Sequence, residues 1–154
     1  MSFAVVRVRG TVNINHEIAE TLRYLNLTRI NHCVVIPDNP VMRGMLQKAK
    51  DYVTWGEISE SVLEKMMKAR GKLKGDHPLT DEYVKKNTDF KGIGDLAMAI
   101  AGDKAEYKIV PGVTPVFRLN PPKSGHRTVK RSYPIGGSLG YRGKEIDALL
   151  NRMI

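Results

Sequence analysis

Residues 126–143 read HRTVKRSYPIGGSLGYRG and run straight into KEIDALLNRMI. The stretch carries four Lys/Arg side chains, one histidine, two tyrosines and four glycines, and no carboxylate. That mixture suits one task above others, the holding of phosphate. Glycine lets a backbone approach a ligand closely and turn its amides toward it. A following helix N-terminus adds partial positive charge. Arg142 can fork onto phosphate oxygens and Lys144 acts as a point charge, while Tyr141 could stack on an exposed base or ribose. Two nucleotide motifs fail at positions they require. A Walker loop needs a Ser or Thr after its Gly-Lys pair to bind magnesium, and a glycine five residues before it. Here Glu145 follows Gly143-Lys144, and Ser138 stands where the first glycine belongs. The dinucleotide pattern fails because Leu139 replaces the glycine required after Gly137. A general phosphate surface remains, with an ordinary flexible glycine loop as its plainer alternative.

No other constellation points to catalysis, so no enzyme is expected. His16, His32, His77 and His126 are scattered, without a thiolate pair or a histidine one helical turn away, so neither a metal nor a cofactor is expected. Cys33 lies in the apolar run CVVI and reads as a buried, inert thiol. Asp38 sits in the turn PDNP, where a local hydrogen bond is its ordinary use. Trp55 reads as core filling. Arg43, Gln47 and Lys50 share one helical face, normally a solvated one. Arg7, Arg9 and Arg29 gain interest only if they lie near the basic C-terminal segment.

Net charge supports a polyanionic partner. The chain carries 25 Lys/Arg against 16 Asp/Glu, a formal charge of +9. Nine Lys/Arg against two Asp/Glu fall in residues 107–154, and residues 107–144 hold no carboxylate. Such a polarised field concentrates polyanions and gives salt-dependent affinity for phosphate backbones. No apolar run reaches the roughly 18 residues of a membrane span, and the N-terminal MSFAVVRVRG lacks a signal-peptide layout. A soluble intracellular protein, with no membrane and no small-molecule substrate, is expected.

The elements that must carry these side chains form three segments: 1–58, 59–106 and 107–154. The first reads strand–helix–strand–helix–strand. FAVVRVR alternates, placing Ala4, Val6 and Val8 on one face and Val5, Arg7 and Arg9 on the other. Asn15 caps a helix striped by Ile18, Leu22 and Leu25, and Asn39-Pro40 opens a second. HCVVI and YVTWGEI read as strands. Two helices of that length should cover one face of a small sheet and leave the other free; the pattern leaves the strand directions open. Residues 59–106 look helical, with a capping box at Ser61 and Glu64, a second start at Thr80, and LAMAIA before Gly102. VFRLNPP resumes strand character, the glycine-rich basic stretch follows as a loop, and a C-terminal helix turns Ile146, Leu149, Leu150 and Met153 inward.

RVRGTVN and LNLTRINHCVVIPDNPVMRGMLQKAKDYVTWGEI resemble the large-ribosomal-subunit protein family L-thirty, most closely at Arg29-Ile30-Asn31 and Arg43-Gly44-Met45. FRLNPPKSGH, the basic run and GGSLGYRGKEIDALLNRM resemble its archaeal branch. The resemblance implies an α+β fold: a three-stranded antiparallel sheet with two helices on one face, ferredoxin-like βαβαβ, plus a helical insert and a basic C-terminal extension. It implies a structural constituent of the cytoplasmic ribosome, binding large-subunit (23S) rRNA near the 5S rRNA and beside other large-subunit proteins. Arg29 and Arg43 match positions where the family is basic and faces RNA; Arg127, Lys130, Arg142 and Lys144 lie in the matching C-terminal segment. With the neighbouring basic and aromatic residues, the expected RNA-binding set is Arg7, Arg29, Arg43, Lys50, Lys123, His126, Arg127, Lys130, Arg131, Tyr141, Arg142 and Lys144. A free-standing RNA chaperone or transcription factor, and a small-molecule-sensing ferredoxin-like domain, are the alternatives.

Overall fold

A computed structural model describes residues 1–154. Strand β1 (Ser2–Arg7) lies at the centre, with β2 (His32–Pro37) and β3 (Val53–Glu57) antiparallel on either side. Val5 faces Val34 across one ladder and Trp55 across the other, so a one-residue slip on either side would turn the apolar set to the wrong face. Helix α1 (His16–Tyr24) starts where the Asn15 side chain accepts the Glu17 N–H at 3.0 Å. Helix α2 (Pro40–Ala49) starts where Asn39 accepts the Met42 N–H at 3.0 Å, with Pro40 in the first turn. Leu22, Leu25, Leu27, Leu46 and Ala49 then pack on Phe3, Val5, Val34, Ile36 and Val53.

The α+β class is as expected, but the sheet has six strands rather than three, in the order β4-β2-β1-β3-β6-β5. Strand β4 (Phe117–Arg118) pairs antiparallel with the start of β2. Strand β6 (Gly137–Tyr141) runs parallel to β3, with Thr54 opposite Gly140 and Trp55 opposite Tyr141. Strand β5 (Thr128–Ser132) flanks β6 at the outer edge in an irregular parallel register.

The second face of the sheet is not free. Ala4, Val6 and Cys33 are covered there by helices α3 (Glu60–Arg70), α5 (Ile93–Ala101) and α6 (Ile146–Met153), which contribute Leu63, Met66, Leu96, Leu149 and Leu150. This cluster holds 22 buried residues against 10 on the α1/α2 side, so the face expected to be open carries the larger core. It draws on all three segments of the chain, including Val84 of helix α4 (Asp81–Asn87) and Phe117 of β4, which stacks on Tyr107 at 4.8 Å between centroids. Strand β1 is consequently buried along both faces, Arg7 included.

Helix α3 begins two residues before the expected capping box. Ser59 is its N-cap, and the Ser59 N–H is bound by Asp147 Oδ1 of α6 at 3.1 Å. Glu64 is engaged by Lys68 instead, at 2.6 Å. The carboxylate that satisfies one end of α3 therefore comes from a helix 88 residues away in sequence.

Candidate nucleic-acid interface

The glycine-rich stretch is a strand, not a loop that opens a helix. Leu139 points into the core while Gly137 and Ser138 are buried. A Cβ on Gly137 would stand 1.9 Å from the Arg131 carbonyl oxygen, so only glycine allows β5 and β6 to come together. Gly136 ends the 3₁₀ turn Tyr133–Ile135 at φ +87°, in the left-handed region. The backbone amides of this stretch thus serve folding rather than forming a cradle, and a second 3₁₀ turn (Gly143–Glu145) links it to α6.

The edge β5 presents the charge. Every residue from Arg127 to Ser132 is exposed, and Arg127, Lys130 and Arg131 have no carboxylate within ion-pair distance. Cationic side chains on an outer strand also discourage pairing with another sheet. Beside this edge the α2 face meets the end of β6. Phe3, Arg43, Gln47, Trp55, Glu57 and Tyr141 line one groove of about 310 Å³. Trp55 and Tyr141 tilt against each other at 6.4 Å, with the Tyr141 ring roughly half exposed. The Tyr141 hydroxyl donates to Glu57 Oε1 at 2.5 Å, which holds its proton more firmly than in water. Arg43 donates from Nε and Nη2 to both oxygens of Asp38, at 2.5 and 2.6 Å, and this keeps the Asp38 carboxyl below the usual carboxylate range. Arg43 and Tyr141, far apart in sequence, are thus brought together.

Other expected residues are used differently. Arg7 is 2% exposed; its Nε donates to the Arg9 carbonyl at 2.9 Å and its Nη1 to the Leu27 carbonyl at 2.7 Å. Burial depresses its pKa, and it presents no surface to a polyanion. The alternation along β1 holds, with Ala4 and Val6 on one face and Val5 on the other, but the strand is central and covered on both sides, so Arg7 is buried. Arg142 is also committed in part. Its Nε donates to Thr54 Oγ1 at 2.7 Å, its Nη2 to the Ser138 carbonyl at 2.8 Å, and its guanidinium lies 4.8 Å over the Tyr133 ring. Lys144 is exposed but shares its surroundings with Glu57, Glu60 and Asp147, which offset its charge. Arg29 is exposed just before β2, near His32, whose protonated form is disfavoured by burial first and then by Arg118 and Arg29. That is the far side of the sheet from β6, three strand spacings or roughly 14 Å away. Lys50 and Lys123 are exposed near the C-terminal end of α2 and before β5. His126 is half-buried beside Arg142 and Arg152.

Sequence reading missed Arg152, which anchors the segment leading to β5. Its Nη1 donates to the carbonyls of Lys123 and Gly125, at 3.1 and 3.2 Å. The available signal was its exposed position on α6, one turn after Leu149 at the flank of the apolar stripe. The cavity beside β2, lined by Val34, Ile36, Met42 and Tyr107, measures about 120 Å³, below the roughly 300–1,000 Å³ of ligand pockets.

A small α+β domain with a double-sided core and one uncovered cationic edge has the build of a protein that docks on a polyanion. Residues 3–53 match the family described as Ribosomal protein L30p/L7e. The chain is 51% identical over 152 residues to the large ribosomal subunit protein uL30 of Methanosphaera stadtmanae, with 99% of each chain covered. It is 50% identical over 151 residues to the protein of that name from Archaeoglobus fulgidus, and 47% identical to that from Methanocella arvoryzae, with 98% of this chain and 99% of the relative covered in both cases. The chain belongs to the ribosomal protein L30p/L7e family.

Proposed function

We propose that this protein is a structural, non-catalytic constituent of the archaeal large ribosomal subunit in the cytoplasm. It binds large-subunit (23S) rRNA and touches neighbouring subunit proteins. The observation that carries this reading is identity of about half of all residues, over nearly full length, with proteins named for that subunit. The exposed, unpaired charges of Arg127, Lys130 and Arg131 on β5 support it, as does the groove where Arg43 and Tyr141 meet. Gly44 adds to this: it interrupts an exposed stretch of α2 beside Arg43, and nothing lies within 4 Å of where its Cβ would be. A glycine inside a helix weakens it, and the open space leaves room for a backbone to approach. Arg29, Lys50, Lys123, His126, Arg142 and Lys144 complete the proposed contact set; Arg7 is left out. Most contacts go to phosphate and ribose, positioning rRNA elements rather than reading sequence. The finer placement beside 5S rRNA rests on the family resemblance at both ends of the chain.

An affinity-tagged copy expressed in an archaeal host should sediment with the large subunit and stay there through a moderate salt wash. Recovery only in the free fraction, the behaviour of a chaperone or transcription factor, would contradict the reading.

A further inference from the structure

Between the segment before β5 and the last turns of α6 lies a cleft of about 360 Å³. His126, Arg127, Tyr133, Arg142 and Arg152 line it, and Glu145 is its only carboxylate. Collecting three guanidiniums around an imidazole is unfavourable unless an anion joins them, because like charges repel most strongly where water is partly excluded. The strain is visible in the groups themselves: burial and then Arg142 and Arg152 disfavour the protonated form of His126, and burial disfavours the charge on Arg142, with Arg152 adding to it.

Arg142 and Arg152 are fixed in advance and left incomplete. Arg142 uses Nε and Nη2 on Thr54 and Ser138, and its Nη1 has no partner. Arg152 uses Nη1 on Lys123 and Gly125, and its Nη2 has no partner. Each guanidinium is therefore held by the protein along one edge with free donors on the other, the arrangement that favours an oxyanion. His126 Nε2 reaches neither solvent nor a hydrogen-bond partner.

We propose that this cleft is a seat for one phosphate group of an RNA backbone, gripped by the free edges of Arg142 and Arg152 with Arg127 beside them, and that His126 takes up a proton when the seat is filled. The phosphate's source rests on the rRNA-binding reading above; the seat itself rests on the cleft. The groups that face His126 are Arg127 on its own segment, Tyr133 in the 3₁₀ turn, Arg142 after β6, Glu145 before α6 and Arg152 on α6. In the free protein, burial first and then the charges of Arg142 and Arg152 keep the imidazole neutral to lower pH than is usual for a histidine. A bound phosphate reverses that field, so binding takes up a proton and affinity rises as pH falls, by up to ~10-fold per pH unit between the two histidine pKa values.

The test uses the full chain in two arms. In the first, inorganic phosphate is titrated at constant ionic strength while His126 is followed by NMR, with chloride as the control. Phosphate should raise the His126 pKa saturably by about one unit or more; Arg152→Gln should abolish that rise, and Lys86→Gln should not. In the second arm, binding to large-subunit rRNA should strengthen several-fold from about pH 8 to pH 6 in the wild type and not in His126→Gln. A response in the second arm alone places the seat's phosphate on the polymer; a response in the first alone makes the source free phosphate and overturns the RNA assignment. Identical His126 titration in phosphate and chloride, with pH-independent rRNA binding, overturns the seat and leaves rRNA binding standing. Absence of any rRNA binding by the wild type overturns the functional reading instead.

Discussion

Gly56→Ala is expected to destabilise the protein by about 3 kcal/mol or more, the upper end of what overpacking a core costs. Gly56 lies in β3, and an added Cβ would stand 1.9 Å from the Gly143 carbonyl oxygen, 2.9 Å from its carbon and 3.1 Å from Ile146 Cβ. The atoms it meets are backbone at the turn into α6, so they cannot rotate aside. Relief requires separating β3 from the start of α6, whose Ile146, Leu149 and Leu150 belong to the larger core. Gly44→Ala is the matched control with the opposite sign. The site is open and helical, so alanine should stabilise by roughly 0.5–1 kcal/mol through helix propensity and a less flexible unfolded chain. Denaturant midpoints for the two variants read both effects. Equal shifts would mean that the packing of the C-terminal segment against β3 is not as described.

Replacing Arg127, Lys130 and Arg131 together by glutamine is the change expected to cost most in rRNA binding. The three side chains are exposed and have no carboxylate partner, so the denaturant midpoint should hardly move. Each phosphate contact releases roughly 0.7–0.9 of a counterion, so the slope of log affinity against log salt should fall by about 2–3. At ~0.1 M salt that amounts to a loss on the order of 10²-fold relative to the wild type. Filter binding to large-subunit rRNA across a salt series measures it. An unchanged slope would show that the β5 edge points into solvent and that its charges serve only to block strand addition.

These residues also show what could and could not be seen from sequence. The N-terminal unit was legible because its signals are local: Asn15 and Asn39-Pro40 are caps that act within three residues, and HCVVI is a β-branched run. Which remote element covers a face is not local information. The alternation in FAVVRVR identifies two faces of β1 but not that both are buried, so Arg7, expected to bind RNA, reaches no surface. The glycine-rich stretch read as a loop because glycine weakens strands in general. Here tertiary packing overrides propensity: Gly137 admits β5 to within contact of β6, and Gly56 admits the turn into α6, approaches that no other residue permits. The capping box at Ser61 and Glu64 fitted its pattern, yet Asp147, near the other end of the chain, binds the Ser59 N–H. Of the proposed contacts, the segment was legible and the pairing was not. Sequence shows the charges from Arg127 to Lys144, but only the fold shows that Arg142 is half spent on Thr54 and Ser138, that Lys144 sits among carboxylates, and that Arg152 joins His126.

The β5 edge, and not the balanced helical segment, is the surface expected to face rRNA. Directed hydroxyl-radical probing tests it most directly, with an iron chelate tethered through Lys130→Cys or through Lys86→Cys on α4. Cys33 does not compete for the reagent, being fully buried with its thiol pKa pushed up to about 12. In reconstituted large subunits the tether at position 130 should cut 23S rRNA strongly and the tether at 86 weakly. Strong cutting from 86 with none from 130 would mean that α4, and not β5, faces the RNA.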